Sequence, residues 1–225
     1  MKRTLLFSLL LISALFLCAC TESTTFEPKE SGIFIRRDRH VIGAEVESFD
    51  NSSFETPRYS DTELTAFVED SVRAYNEEKA NLPYVRAEEL KDIKSEEELV
   101  LPVSIQLINV ADKVATVMLD YADSANYLAF NGTSEAVDIQ NLIVGTVKNG
   151  NDSNLTYSNM VKAEDGSDAM AVDIMDLDKY MLVAVEGNTL VTCEGKIFFM
   201  TKGMELVDEF TVRTVPGETN YIVFK

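Results

Sequence analysis

The side chains with the widest chemical repertoire are few in this chain, and His40 is the first to consider. It is the only histidine among 225 residues. A Ser-His-Asp or Cys-His arrangement, or a histidine-rich zinc site, would therefore have to use it. It lies in the polar segment 36–40, and no Gly-x-Ser-x-Gly sequence is nearby. The sequence favours a surface histidine in an exposed bend and argues against hydrolase chemistry of that type.

Cys193 could act as a nucleophile or redox thiol only if its surroundings lowered its pKa. The nearest cation in the sequence is Lys196, and the alternation around Val191 predicts a strand. A buried structural cysteine is favoured over a reactive one.

Carboxylates are abundant, and their densest loop cluster is Glu-Asp-Gly-Ser-Asp at 164–168. Asp165 and Asp168 are the candidates for metal ligation there. An EF-hand loop starting at Asp165 needs glycine at its sixth position, whereas this loop has glycine at its second. A solvated acidic loop is favoured, and no metal or cofactor is expected. Glycosidase chemistry needs paired acids with sugar-stacking aromatics, and the chain has eight Tyr but no Trp.

Aromatic and amide side chains gather around a predicted helix near residue 127. Tyr121, Tyr127, Phe130 and Asn131 could line a ligand surface there. Packing of this helix on a sheet is the favoured interpretation.

The elements that must position these residues follow a hairpin and helix order that occurs twice. A hairpin is predicted over Gly32–Phe49, followed by a helix that begins with a capping box of Ser60 and Glu63. The apolar face of this helix has spacings of three, four and seven residues and consists of Leu64, Phe67, Val68, Ser71, Val72 and Tyr75.

The second copy of this order begins with a hairpin over Leu99–Tyr121. Its first strand directs alternate residues to one face: Leu99, Leu101, Val103, Ile105 and Leu107. A shorter helix is predicted at Ser124–Phe130, ended by Asn131-Gly132 as a C-cap. Residues 86–98 are charged and fit a short helix with a loop.

The second half is predicted to be mainly β. Residues 135–148 fit a helix by the spacing of Ile139 and Ile143, although Leu142–Val144 also suits a buried strand; helix is preferred. Residues 150–154 read as a turn. Gly187-Asn188 is predicted to close a two-residue hairpin, and Pro216-Gly217 to form a type II turn. The fold class is α+β, with antiparallel hairpins or a meander and two or three helices packed on one face.

The chain is strongly acidic, with a net charge of −18. Such a surface lacks the cationic footprint that nucleic acids and anionic head groups require, so no nucleic-acid partner is expected. It suits cations, basic peptides or solubility outside the cell.

An export signal is predicted at residues 1–19. Lys2 and Arg3 precede the apolar run Leu5–Leu17, which is too short for a transmembrane helix of ~20 residues and fits a secretory signal. Small residues precede Cys20, with Ala19 at the cleavage position, whereas bulky residues precede Cys18. This stretch resembles the bacterial lipoprotein lipobox. The resemblance implies cleavage between Ala19 and Cys20 and a diacylglyceryl group on the Cys20 thiol.

Processing at that bond predicts a lipidated Cys20 with a flexible tether over 20–31 and a globular domain over 32–225. A sub-boundary near 132–155 and one continuous sheet with helices on one face fit the pattern equally well. The mature chain would carry 18 Lys and Arg against 38 Asp and Glu, because the signal contains only Lys2 and Arg3 as charged residues. Cys193 would then be its only free thiol, so no internal disulfide could form.

Four segments together resemble a group of uncharacterised lipid-anchored surface lipoproteins from anaerobic Gram-positive bacteria. They are Gly32-Ile-Phe-Ile, Ala44-Glu-Val-Glu-Ser-Phe-Asp50, Ala74-Tyr-Asn-Glu-Glu78 and Tyr121-Ala-Asp-Ser-Ala-Asn-Tyr-Leu-Ala-Phe-Asn131. The resemblance covers roughly residues 1–131. It implies a membrane anchor and an α+β fold, and it supplies no site residues.

The expected function is that of a non-enzymatic binding or structural module, held by its N-terminal lipid on the extracytoplasmic face of the membrane. A surface protein or a cell-wall ligand is the partner class this leaves open. Two alternatives remain: a solute-binding component of a transporter, and a carboxylate-dependent enzyme acting on cell-wall glycan or peptide.

Overall fold

The computed structural model describes residues 25–48, 61–80, 101–111, 113–132 and 138–225. Within these ranges the chain forms 12 strands and four helices, which confirms the α+β class. The strands are β1 (Gly32–Ile35), β2 (Val41–Ser48), β3 (Val103–Ala111), β4 (Val114–Tyr121), β5 (Ile139–Thr146), β6 (Met160–Lys162), β7 (Met181–Gly187), β8 (Leu190–Cys193), β9 (Ile197–Thr201), β10 (Glu205–Leu206), β11 (Thr211–Arg213) and β12 (Thr219–Phe224). The helices are α1 (Asp61–Ala80), α2 (Ser124–Asn131), α3 (Val147–Asp152) and α4 (Ala171–Met175).

Several predictions lie outside the described residues. They are the signal with Ala19 and Cys20, the capping residue Ser60, the segment 86–98 and Leu99.

The strands form two sheets. The seven-stranded sheet has the order β10-β11-β8-β1-β2-β4-β3, and the five-stranded sheet has the order β5-β7-β12-β9-β6. All named strand pairs are antiparallel except β1 with β8. The main core contains buried residues from both sheets, so the two sheets pack face to face. This arrangement replaces the single continuous sheet that was one of the two options left by the sequence.

Both early hairpins are confirmed, as β1–β2 and β3–β4. The predicted alternation along β3 is wrong beyond Ile105, because a bulge shifts the register between Ile105 and Leu107. Gln106 is the extra residue, so Leu107 lies opposite Met118 and points to the other face.

The helix preferred for 135–148 is wrong: residues 139–146 form β5, and α3 starts only at Val147. The spacing of Ile139 and Ile143 misled, because Ile143 is 45% exposed and only Ile139 of the two reaches the core. A bulge sets the faces of this strand. Ile139 lies opposite Gly187 and Asn141 opposite Glu186, which makes Gln140 the extra residue. Ile139 and Leu142 therefore both reach the core although they are three residues apart. The turn predicted at 150–154 is wrong for its first part, because α3 continues to Asp152.

The hairpin predicted around Gly187-Asn188 is wrong, because β7 and β8 belong to different sheets. Gly187 has a φ of 138°, and a Cβ there would collide with the carbonyl oxygen of Asp138. Gly195 carries the chain back beside the carbonyl oxygen of Lys225, where a Cβ would also collide. The chain crosses again between β9 and β10, and Pro216-Gly217 is the fourth crossing, between β11 and β12. The predicted meander is wrong at these four links.

Alternate residues of the five-stranded sheet face two different cores. Val183 and Ile222 belong to the core between the sheets, whereas Leu182 and Val223 belong to a second cluster. This second cluster lies on the outer side of the five-stranded sheet and also contains Val147 of α3, Ile174 of α4, Tyr157 and Met160. The short helices α3 and α4 therefore cover that outer side.

The two longer helices pack on different sheets: α1 on β3 of the seven-stranded sheet, and α2 mainly on β5 of the five-stranded sheet. Val68 and Val72 of α1 and Tyr127 of α2 join the main core. The predicted second helix is confirmed as α2, with Asp123 as its N-cap. Its C-cap, Gly132, has a φ of −62°, so no left-handed conformation explains this glycine.

The contacts of the domain begin before Gly32. The Phe26 and Phe34 rings stack with centroids 5.2 Å apart. Glu30 pairs with Arg213 at 2.9 Å, and the Ser31 hydroxyl accepts a 2.9 Å hydrogen bond from the Val46 amide. The predicted tether over 20–31 is therefore not free along its whole length, because residues 26, 30 and 31 contact the domain.

Candidate functional site

An apolar groove lies between α1 and α2 over the seven-stranded sheet. Its volume is about 460 Å³, which is within the range of ~300–1,000 Å³ that is typical of ligand pockets. Described residues that line it are Phe67, Val68, Ser71, Ala74, Tyr75 and Glu78 from α1, Leu119 from β4, and Phe130 and Asn131 from α2.

Aromatic contacts fix the walls of this groove. Tyr75 meets Phe130 edge-on with centroids 5.3 Å apart, and Tyr121 meets Phe130 at 5.7 Å. The Tyr75 hydroxyl donates a 3.1 Å hydrogen bond to the side-chain oxygen of Asn126. Two of these contacts link α2 to α1 and the third links it to β4, so the groove is preformed rather than assembled by a ligand.

Asn131 is held at the end of the groove by two hydrogen bonds from its amide nitrogen. One goes to the Tyr121 hydroxyl at 3.1 Å and the other to the Tyr127 carbonyl at 3.0 Å. These bonds fix the amide plane beside Phe130.

Phe67 is the unusual residue of this surface. Its position on α1 predicts core packing, yet 71% of it is exposed, whereas Val68 and Val72 are buried. An exposed phenylalanine beside an apolar groove is a common feature of interaction surfaces. The sequence missed this role, because residues 64, 67 and 68 share one helical face and only the sheet edge decides which of them is covered.

The helix α1 has an excess of negative charge, and its Glu78 lines the groove. This helix carries six acidic residues, Asp61, Glu63, Glu69, Asp70, Glu77 and Glu78, and two basic ones, Arg73 and Lys79. Its net charge is therefore −4. Arg73 is already paired with Asp70, and Lys79 lies 3.4 Å from Glu78.

Of the four residues considered as a ligand surface around α2, two line the groove. Phe130 and Asn131 do so, whereas Tyr121 and Tyr127 are buried and meet edge-on at 5.1 Å. Burial raises the pKa of both tyrosines above the ordinary value. Helix-to-sheet packing, the favoured interpretation, holds for these two tyrosines.

His40 does lie in the predicted bend, but it is half-buried and hydrogen-bonded rather than a free surface residue. Its Nδ1 atom lies 2.8 Å from Oδ1 of Asp120, a carboxylate that is only 8% exposed. Arg36 and Gln106 approach the other oxygen of Asp120 at 3.5 and 3.3 Å. In the described part of the chain, no hydroxyl or thiol is hydrogen-bonded to His40, so the nucleophile of a triad is missing from this cluster.

The other residues of this bend tie the β1–β2 hairpin to the rest of the fold. The Arg37 amide donates a 2.6 Å hydrogen bond to Oε2 of Glu194, and Arg39 donates one of 3.3 Å to Asn149 of α3. Arg36 pairs with Asp38 at 2.6 Å. Of these three arginines, Arg36 is the one whose side chain is paired with carboxylates in the described residues, those of Asp38 and Asp120.

Cys193 is fully buried, as predicted, and burial raises its pKa far above that of an ordinary thiol. A protonated thiol in the core is a poor nucleophile. Its role is packing between the two sheets.

The acidic loop holds Asp165 and Asp168 on the surface. Hydrogen bonds from the Ser167 side chain and backbone lower the pKa of Asp165, and Asp168 pairs with Lys202 at 2.8 Å. Within the described ranges, no group of three or more His, Cys, Asp or Glu residues is placed to hold a metal ion.

A second, polar cavity of about 330 Å³ carries three carboxylates, on Asp138, Glu186 and Glu218. Oε1 of Glu186 accepts a 2.6 Å hydrogen bond from the Thr219 hydroxyl. This cavity marks the junction where β5, β7 and β12 begin or end.

Comparison of the chain with protein-family models, curated proteins and solved structures finds no match. No helix in the described ranges is both long enough and apolar enough to cross a membrane.

Proposed function

We propose that this protein is a lipid-anchored, extracytoplasmic, non-enzymatic binding module. Its groove between α1 and α2 takes an apolar side chain of a basic polypeptide. The observation that carries the proposal is the preformed groove of about 460 Å³ beside an exposed Phe67.

Shape and polarity support the proposal that the groove takes an apolar side chain. Leu119 forms the floor, and the rings of Phe67, Tyr75 and Phe130 form the walls. An anchor side chain inserted there gains ~25 cal/mol for each Å² of apolar surface removed from water. Interfaces commonly concentrate their binding energy in one such anchor.

Charge supports the proposal that the bound polypeptide is basic. The net charge of −4 on α1 belongs to a chain with a net charge of −18. Such a field steers cations toward the surface and repels acidic partners. The sequence alone indicates basic peptides as one compatible partner class, and the groove is where such a peptide would bind.

The N-terminal signal supports the location. Cys20 follows an apolar run and small residues, and only residues 21–25 separate it from the first ring contact at Phe26. A lipid on Cys20 would hold the domain close to the outer surface of the membrane.

Three labelled hexapeptides test the groove by fluorescence polarisation at low salt. The first combines four lysines with a Leu-Phe pair, the second replaces that pair by Ala-Ala, and the third replaces the lysines by glutamates. We expect binding of the first peptide only. The affinity should fall at least ~10-fold with Phe67→Ala, since a central aromatic anchor contributes about 2 kcal/mol.

Val172→Ala provides the matched control, because Val172 is also an exposed apolar residue on a helix, on the other side of the molecule. Ala74→Trp, which fills the groove, should also abolish binding. Equal affinity for the basic and acidic Leu-Phe peptides, or equal loss with Phe67→Ala and Val172→Ala, would contradict the proposal.

A further inference from the structure

A second surface, at the opposite edge of the seven-stranded sheet, faces a different partner. We propose that the corner formed by Phe26 and Val207 lies directly against the lipid bilayer. This inference rests on the lipid anchor of the proposed function and adds the orientation of the domain.

The N-terminal segment is fixed to the outer face of the seven-stranded sheet. Phe26 stacks on Phe34, which lies on the face of β1 opposite to Ile33 and Ile35 of the main core. The Glu30–Arg213 pair and the Ser31 bonds to Val46 hold the same segment farther along. The chain therefore leaves the domain at a defined point.

Chain length limits how far this point can be from the membrane. Six residue steps separate Cys20 from Phe26, and an extended chain spans at most ~3.6 Å per residue. The Phe26 corner thus lies within ~20 Å of an acyl chain on Cys20, and nearer than that if the segment is coiled.

The corner presents apolar side chains on a rigid turn. Val207 is 51% exposed and lines the same cavity of about 320 Å³ as Phe26. Leu206 beside it is also exposed. The Val207 amide donates to the Thr211 carbonyl at 2.9 Å, and the Phe210 amide donates to Oδ1 of Asp208 at 2.8 Å. These bonds hold Val207 at the surface, whereas Leu206 lies opposite the buried Val212, toward the other face of the sheet.

A larger apolar patch exists on α4, where Met170, Val172 and Met175 are exposed, but the anchor cannot bring it to the membrane. This patch lies on the outer side of the five-stranded sheet. Two sheets packed ~10 Å apart and a helix layer ~10 Å farther out separate it from the outer face of the seven-stranded sheet. The orientation is set by the point where the chain leaves the domain, not by total apolar area.

This orientation leaves the groove open to a partner. β10 and β3 are at opposite edges of the seven-stranded sheet, six strand spacings of ~4.8 Å apart. Since α1 packs on β3, the groove stands roughly 30 Å from β10 and about half as far from β1, where Phe26 stacks on Phe34.

Single tryptophans test the orientation cleanly, because the chain contains no Trp. The lipidated full chain carrying Val207→Trp is incorporated in phosphatidylcholine vesicles with brominated acyl chains. Neutral lipid is chosen because Glu27 and Asp208 also line the corner. We expect Val207→Trp emission to shift to shorter wavelength and to lose intensity, while Val172→Trp on α4 shows neither change.

Further variants separate failure of this inference from failure of the anchor. Phe26→Trp repeats the measurement should Val207→Trp fold poorly. The mature chain, residues 20–225, with Cys20→Ser and Val207→Trp should stay in solution, because it carries neither the lipid nor the apolar signal. Vesicle-bound chains in which the corner tryptophans are unquenched, or in which Val172→Trp is quenched equally, would overturn the orientation and leave the anchor intact. Continued vesicle binding of the Cys20→Ser chain would overturn the anchor and not the corner contact.

Discussion

At the scale of single residues, Asn76 shows how a side chain can replace a missing strand. β3 is an edge of the seven-stranded sheet, so its outward backbone groups lack a strand partner. The Asn76 side chain of α1 accepts a 3.1 Å hydrogen bond from the Val103 amide and donates one of 2.8 Å to the Val103 carbonyl. Both groups are buried, so α1 and β3 are joined by a pair of bonds with no competing water.

Asn76→Ala should therefore cost about 2 kcal/mol or more of unfolding free energy, because two buried backbone groups lose their partner. Urea denaturation measures this cost. Glu77→Ala on the same helix, at an exposed position, should change the stability by no more than ~0.5 kcal/mol. Equal effects of the two substitutions would contradict the assigned role of Asn76.

The two buried tyrosines predict a loss of stability in alkali. Burial raises the pKa of Tyr121 and Tyr127 in the folded chain, whereas unfolded tyrosines ionise near pH ~10. Their contribution is thus complete below pH ~10 and falls above it, by about 1.4 kcal/mol per pH unit for each residue. Urea unfolding between about pH 9 and 11 should show a shallower decline for Tyr127→Phe. Identical declines for the two chains would contradict this assignment.

At the scale of elements, the β1–β2 bend depends on the buried carboxylate of β4. The carboxylate of Asp120 makes hydrogen-bond or ion-pair contacts with His40, Arg36 and Gln106. Asp120→Ala leaves these groups without their acceptor, and we expect a loss of ~3 kcal/mol in unfolding free energy. Asp168→Ala breaks the exposed Asp168–Lys202 pair and should cost under ~1 kcal/mol. A smaller effect at Asp120 than at Asp168 would show that the cluster does not hold the bend.

Both early hairpins and both longer helices are predicted correctly from their periodicity, although the bulge at Gln106 makes the alternation wrong in the second half of β3. The spacing of Ile139 and Ile143 predicts a helix where β5 lies, but Ile143 is exposed, and the bulge at Gln140 places Ile139 and Leu142 on the core face instead. A one-residue bulge leaves no mark in composition, so local periodicity misleads there.

The predicted hairpin at Gly187-Asn188 and the predicted meander are wrong for another reason. Gly187-Asn188 has the composition of a hairpin turn, yet its glycine is required by the close approach of the Asp138 carbonyl. Which sheet a strand joins depends on partners far away in the chain, such as the parallel pairing of β8 with β1. The residues around the turn therefore do not indicate which sheet the next strand joins.

The candidate site was predictable only in part. The sequence indicated Phe130 and Asn131 as one option, because aromatic and amide residues gather around α2. It assigned Phe67 to the core, since its exposure depends on where α1 sits on the edge strand β3. The Asp120 partner of His40 is 80 residues away in the chain, and nothing near His40 indicates it.

At the scale of the whole molecule, the two proposed surfaces lie at opposite edges of one sheet. The Val207 corner, beside which the proposed anchor would lie, is at the β10 edge, and the groove is at the β3 edge. Such a layout would display the groove to partners while the lipid and the corner hold the domain to the membrane. The anchor is the claim on which this layout depends.

The mass of the mature N-terminal peptide tests that claim most directly. The full chain is expressed in a Gram-positive host, recovered from the membrane fraction and digested, and its N-terminal peptide is measured by mass spectrometry. Our account predicts a peptide that begins at Cys20 and carries a diacylglyceryl group, and a Cys20→Ser chain that lacks it. A peptide that begins elsewhere, or an unmodified Cys20, would contradict the account.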